Sequence, residues 1–212
     1  MANCVSNEPN YSGGEYSTTS SGSKIGGYSS GTSETAYGYT VDFSGNWGYN
    51  ASAVSSNSKA NTYKEGFKKI GHAIGMDWRL AAAVAMQESQ FDPKAVNGNM
   101  VGLFQFSKDA WTDYAPKGKK DLSYRIDVDA QYDATINFWS KLSNRFKNIS
   151  NLNDKLALII QSHHDGSVTV KKGGIQWKDY VEKYSADKQK SARDESIKYL
   201  QLVIGKYRQL CK

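Results

Sequence analysis

Apolar positions fall into two regimes along the chain. From Asn61 onward they recur at helical spacing: Tyr63, Phe67, Ile70 and Ile74 stand at i, i+4, i+7 and i+11, and Gly75 follows as a C-cap. Asp77 then predicts the N-cap of a second helix, Trp78 to about Glu88, dominated by alanine. Pro93 and the turn-prone Asn97-Gly98-Asn99 break the pattern. A longer helix starts near Asp127 on Ala130, Ala134, Phe138 and Leu142. Another carries Leu152, Leu156, Ile159, Ile160 and His163, and a last one Ile197, Leu200, Ile204 and Tyr207. With almost no strand signal after residue 59, the fold class is mainly α.

Before that point the pattern is different. Residues 1–58 hold 14 Ser, 9 Gly and 6 Tyr but only five residues among Val, Ile, Leu and Phe. Such a segment buries too little apolar surface to offset its own ordering entropy, so it reads as an N-terminal arm, with the helical domain over 59–212. One stretch departs from this: Tyr37, Tyr39, Val41 and Phe43 alternate with Gly38, Thr40, Asp42 and Ser44, a period of two that predicts a short β-strand. Strand addition to a neighbouring sheet edge would suit it.

Charge divides at the same place. The formal +6 is the sum of −3 over residues 1–58 and +9 over the rest. A basic domain suits a polyanion such as nucleic acid, an acidic membrane face or an anionic wall polymer. No run approaches the ~18 apolar residues of a membrane span, and the first residues lack the basic and apolar parts of a secretion signal. Cys4 and Cys211 match no metal or redox spacing; two unpaired terminal thiols are the expectation, with a disulfide between them as the alternative.

Leu80, Val84 and Glu88 repeat at i+4, which brings a carboxyl out on the apolar side of the alanine helix. There it is either a desolvated general acid or a rim carboxylate paired with a cation, and spacing alone does not choose. The surrounding residues add more. Ala85-Met86-Gln87-Glu88-Ser89-Gln90-Phe91-Asp92-Pro93-Lys94-Ala95-Val96 is followed by Gly102-Leu103-Phe104-Gln105-Phe106. This closely resembles the soluble lytic transglycosylase (goose-type lysozyme-like) family, with its Glu-Ser helix end, Phe-x-Pro-x-Ala loop and Gly-Leu-Met-Gln turn. The likeness continues over most of 60–210, through Ser162-His163-His164-Asp165-Gly166 and Glu195-Ser196-Ile197-Lys198-Tyr199-Leu200. Residues 1–58 match nothing in the family.

The resemblance implies a lysozyme-like helical domain acting on peptidoglycan glycan strands. Glu88 would protonate the oxygen between N-acetylmuramic acid and N-acetylglucosamine, then take a proton from the muramic C6 hydroxyl as it closes onto C1 in a 1,6-anhydro sugar. An internal nucleophile needs no second carboxylate; Asp92, the nearest in sequence, reads as a turn residue. Ser89 would support the carboxylate. Gly102, Leu103 and Gln105 would line the cleft, Gln105 offering donor and acceptor to an acetamido group. His163 and His164 stand where the family has tyrosine and asparagine, and would contact substrate, shift the pH optimum or compensate for the missing phenol. Zinc at His163, His164 and Asp165 is disfavoured, because adjacent helical residues diverge by about 100°. No metal or cofactor is expected. Glu195 and Tyr199 would complete the cleft, the alternative for Glu195 being a helix N-terminal carboxylate. Trp78, Trp111, Trp139 and Trp177 suit either core or sugar stacking, with core favoured; His72 reads as an ordinary surface or packed histidine.

The leading function is therefore a peptidoglycan lytic transglycosylase. A hydrolytic muramidase or endolysin, and a structural virion protein on a degenerate lysozyme fold, are the alternatives; a nucleic-acid binder rests on charge alone. The setting these features suggest is a bacteriophage tail protein acting in the host periplasm, with residues 1–58 attached to virion proteins. A cytoplasmic location before release is the alternative.

Overall fold

Alanine decides how the helices pack. The computed structural model describes residues 45–166 and 195–212 in full, together with the backbone of 33–36, 39–42, 169–171, 174–176 and 186–194. Its helices are α1 (Ser58–Thr62), α2 (Lys64–Ile74), α3 (Trp78–Ser89), α4 (Lys108–Tyr114), α5 (Val128–Arg145), α6 (Leu152–Asp165) and α7 (Ala186–Leu210), with a 3-10 turn at Leu122–Ile126. Every residue of α3 from Trp78 to Ala85 is buried. Four of these are alanines whose small side chains let α2 and α7 both close onto α3. α5 lies against α2 and α6, and α6 against α7. The fold is mainly α, a helix-on-helix core.

Each expected helix is present, and its ends have the expected chemistry. Gly75 closes α2 at φ 79, and the Asp77 carboxylate accepts from Arg79 N at the start of α3. Asp127 and Asn151 cap α5 and α6 by accepting from Ala130 N and Asp154 N. At Gly66 α2 lies close against α5, and an added Cβ would fall 2.0 Å from the Tyr132 ring. α1, α4 and the 3-10 turn, at five, seven and five residues, are too short for their apolar positions to repeat.

Strands among the described residues form three antiparallel hairpins: β1 (Ser33–Ala36) with β2 (Tyr39–Asp42), β3 (Val96–Asn97) with β4 (Met100–Val101), and β5 (Thr169–Lys171) with β6 (Gly174–Gln176). The alternating stretch is thus a strand over Tyr39–Asp42, lying beside α7. Residues 1–32, Tyr37, Phe43 and Trp177 lie outside the described residues, as does most of the segment expected to meet virion proteins.

Composition assigns everything up to residue 58 to the arm, yet packing reaches back to Gly45. Trp47 is 1% exposed and meets Tyr207 edge-on at 6.5 Å. Asp77 N donates to Trp47 O, Tyr49 N to Gly75 O, Trp78 Nε1 to Ala53 O and Asn153 Nδ2 to Gly45 O. Arg79 reaches Val54 O at 3.0 Å and Asp77 at 2.6 Å, both charges being buried. Breaking such a buried pair from one side costs about 3–5 kcal/mol. One tryptophan and a row of backbone bonds tie in a segment whose average composition is that of a tether.

Cys211 is disulfide-bonded, which corrects the expectation of a free thiol there; Cys4 lies outside the described residues. α7 brings the C-terminal end back onto Asn46 and Trp47, so distance along the sequence is no measure of separation in space. No described helix is long and apolar enough to cross a membrane.

Candidate functional site

Glu88 stands in the last turn of α3, and the chain leaves that helix abruptly. Gln90 and Phe91 both take positive φ, 53 and 65. Two consecutive non-glycine residues in this region are unfavourable, and such strain persists only where packing enforces it. Here Phe91 is buried against Phe67, with ring centroids 6.1 Å apart. The strained exit stops α3 immediately after Ser89 and sends the chain into the Pro93 loop. Asp92 turns that loop by accepting from Lys94 N at 2.8 Å, the turn role its position suggests.

The Glu88 carboxyl is half-buried, and removal from water raises its pKa above the ordinary range. One hydrogen bond opposes that: the buried Tyr199 hydroxyl donates to Glu88 Oε1 at 2.5 Å. The phenol comes from α7, across the face of α3. Burial and the neighbouring Glu88 charge raise the Tyr199 pKa far above its usual value, so it remains a donor. Tyr199→Phe removes the bond that favours the carboxylate, and the Glu88 pKa should rise further. Carbon-13 NMR titration of the glutamate carboxyls reads this directly; an unmoved Glu88 would mean the phenol does not bond to it.

Residues Gly102 to Gln105 form a turn closed by the bridge between Val101 and Phe106. Most of its polar backbone groups are held. Gly102 N donates to Ala95 O, and Gln105 N to Gly102 O. Leu103 N donates to Gln131 Oε1 at 2.5 Å, while Gln131 Nε2 reaches Pro93 O. Ser89 Oγ lies 3.0 Å from Ala85 O and 3.1 Å from Leu103 O. His163 Nε2 is 3.0 Å from Phe104 O. Three helices thus grip four residues. Gly102 sits at φ 93, where a Cβ would fall 2.4 Å from Gln131 Oε1 and 2.8 Å from Arg125 O. Only glycine satisfies both constraints.

Several of the expected site residues hold this turn. The hydroxyl of Ser89 bonds to backbone carbonyls rather than to the Glu88 carboxylate. Leu103 is fully buried and anchors the turn from beneath. His163 is engaged at both nitrogens. The indole N–H of Trp139 can only donate, so Nδ1 accepts from it at 3.2 Å and Nε2 carries the proton to Phe104 O. Burial among Phe104, Phe106, Phe138 and Trp139 pushes its pKa down to about 4, so the expected titration near neutrality does not occur there.

Gln105, at φ 49, spends its side-chain N–H groups on Gly102 O and Ala95 O. Two carbonyls beside Nε2 fix the amide orientation, and Oε1 is buried with no partner among the described residues. His164 stacks face to face on Tyr199, which places it beside Glu88 through that ring. Glu195 is exposed on α7, and its charge acts on His164 and on Asp165. Burial and the Glu195 charge push Asp165 up to about 7. Glu88, Tyr199, His164 and Asp165 therefore form one cluster, with Glu195 at its edge.

Gln131 escaped the sequence reading. Its only signal is an amide beside Ala130 in a helix that also buries Ala134 and Thr135, and burial is invisible until α5 is docked. Trp78, Trp111 and Trp139 are fully buried, as the core reading has it, and His72 is exposed beside Tyr49. Among the described residues no three His, Cys, Asp or Glu side chains are grouped to hold a metal ion.

The chain matches the family model described as Transglycosylase SLT domain over residues 65–189. It is also similar to two proteins named membrane-bound lytic murein transglycosylase F. One, from Desulfosudis oleivorans, is 30% identical over 100 residues, 47% of this chain. The other, from Ectopseudomonas mendocina, is 32% identical over 104 residues, 49% of this chain. In both cases the match covers 21% of the relative, so the chain spans about a fifth of the length of these relatives. The family match covers more than half of the chain and includes Glu88, the Gly102–Gln105 turn and His164; the chain belongs to the transglycosylase SLT domain family.

Proposed function

We propose that the chain is a peptidoglycan lytic transglycosylase in which Glu88 is both general acid and general base. The observation that carries this is a half-buried carboxyl with a raised pKa, one oxygen occupied by a phenol, at the end of a buried helix beside a rigid turn. A carboxyl kept protonated nearer to neutrality suits proton delivery to a leaving oxygen. Family membership and the relatives' names support the same reaction.

With Tyr199 on Oε1, the other carboxyl oxygen is the one left to carry the proton. It protonates the glycosidic oxygen between N-acetylmuramic acid and N-acetylglucosamine as the C1–O bond breaks and positive charge develops on the ring. The ionised Glu88, stabilised by the Tyr199 hydroxyl, then accepts the proton of the muramic C6 hydroxyl while O6 bonds to C1. No water is consumed and Glu88 ends protonated again. The unpartnered Oε1 of Gln105 supports a role as acceptor for an acetamido N–H, and the +9 charge over 59–212 favours a carboxylate-bearing polymer.

Mass spectrometry of digested wall is the test. Muropeptides should end in anhydro sugars, one water lighter than reducing ends; hydrated ends alone would replace this reading with a muramidase. The setting we propose is a phage tail particle acting in the host periplasm, with residues 1–58 meeting virion proteins. The composition of that segment supports it, and co-purification with virions after removal of residues 1–44, which leaves the Trp47 anchor in place, would refute the attachment role.

A further inference from the structure

Tyr199 holds the Glu88 carboxyl, and the structure assigns a residue that holds Tyr199. The imidazole of His164 lies on the phenol ring with centroids 4.2 Å apart and planes 7° from parallel. Among the described residues the other histidine and aromatic contacts are edge-on or tilted, apart from Tyr114 on Phe138. His164 sits at the end of α6, just before the Gly166 cap, whereas Tyr199 belongs to α7. Their stack joins two helices at the level of Glu88 on a third. The His164 side chain keeps 31% of its surface exposed, so filling the core does not account for it.

We propose that His164 is a positioning residue of the Glu88 site: its flat ring fixes the Tyr199 phenol so that the hydroxyl stays on Glu88 Oε1. Neighbouring histidines on a helix diverge by about 100°. His163 therefore holds the Gly102–Gln105 turn, and His164 holds the group that holds the carboxyl. The titratable groups around the stack are Glu88 from α3, Asp165 from α6 and Glu195 from α7. Burial keeps His164 below its ordinary pKa while Glu195 pulls it back up, so the ring is largely neutral near pH 7 and acts by shape. Any flat ring should then serve in its place, whereas a sugar-contacting imidazole would need its nitrogens.

This role rests on Glu88 being the acid, but its test does not need turnover. In the full chain, carbon-13 NMR titration of Glu88 is compared among wild type, His164→Ala, His164→Phe, Tyr199→Phe and the Ala/Phe double variant. The expected result is an upward shift of Glu88 in His164→Ala, at least half of that in Tyr199→Phe. His164→Phe should restore the wild-type value, and the double variant should shift no further than Tyr199→Phe alone. An unmoved Glu88 in His164→Ala, or failure of Phe to restore it, overturns the proposal. Should the alanine variant not fold, His164→Gln, polar but ringless, carries the same expectation. On wall substrate, His164→Ala should lower kcat with KM held within about twofold. A raised KM at unchanged kcat means a sugar contact and overturns it as well. An inactive wild-type chain that shows the full NMR pattern would refute the proposed reaction and uphold the positioning role.

Discussion

Glu88→Gln should lower wall-glycan cleavage by about 10²–10⁴-fold, the range a positioned general acid supplies. The amide is nearly isosteric, and its oxygen can still accept from Tyr199, so the fold and the Tyr199 contact should persist. What is lost is the proton. Binding of the variant to insoluble wall should match wild type, which separates a catalytic loss from a binding loss. Stability gives an independent check. Burial raises the Glu88 pKa in the folded state, so the folded chain holds that proton to higher pH than the unfolded chain does. The carboxyl therefore costs nothing below its unfolded pKa and destabilises increasingly as pH rises through its folded one. Glu88→Gln should melt with wild type at about pH 4 and above it at about pH 8. Undiminished cleavage would remove Glu88 from the reaction.

Gly102→Ala should be the most damaging single methyl in the site. The backbone there is at φ 93, which for an L side chain costs about 1–3 kcal/mol. The added Cβ also falls 2.4 Å from Gln131 Oε1 and 2.8 Å from Arg125 O, and overpacking of this kind costs about 1–3 kcal/mol. Relief is hard to find, since Gln131 is pinned between Leu103 N and Pro93 O and the second contact is backbone. A total of roughly 2–6 kcal/mol corresponds to a fall in Tm of about 4–24 °C for a chain of this size. Thermal melting measures it. Cleavage at temperatures where the variant is still folded should also fall, because the turn that carries Gln105 is displaced. A Tm within about 2 °C of wild type would mean that the turn is not gripped as described.

Helix by helix, legibility followed length. α2, α3, α5, α6 and α7 repeat their apolar positions over enough turns for the period to show, and Gly75, Asp77 and Asp127 mark ends by side-chain and backbone chemistry that needs no tertiary partner. α1, α4 and the 3-10 turn have no room for a repeat. Trp47 shows the converse failure: a single anchoring residue is invisible to composition, so residues 45–57 read as tether although they help close the core.

Within the site, the candidates could be located but their tasks could not. Ser89 and His163 are adjacent to functional positions and have hydrogen-bonding side chains, so contact with carboxylate or sugar was a fair expectation. Packing of the turn against α3 and α6 commits both to its backbone carbonyls, Leu103 O and Phe104 O. Gln131, with no motif of its own, became the clamp of the turn for the same reason.

The sequence by itself determined the helical class, the placement of Glu88 at the end of an alanine helix, and the glycine-led turn that follows it. These are properties of spacing and local backbone chemistry. Tertiary structure decided which phenol reaches Glu88, which histidine is locked neutral and which one stacks, and how far the carboxyl is withdrawn from water. Those depend on which helices meet, and a hydrogen bond from residue 199 to residue 88 exists only once α7 has closed on α3.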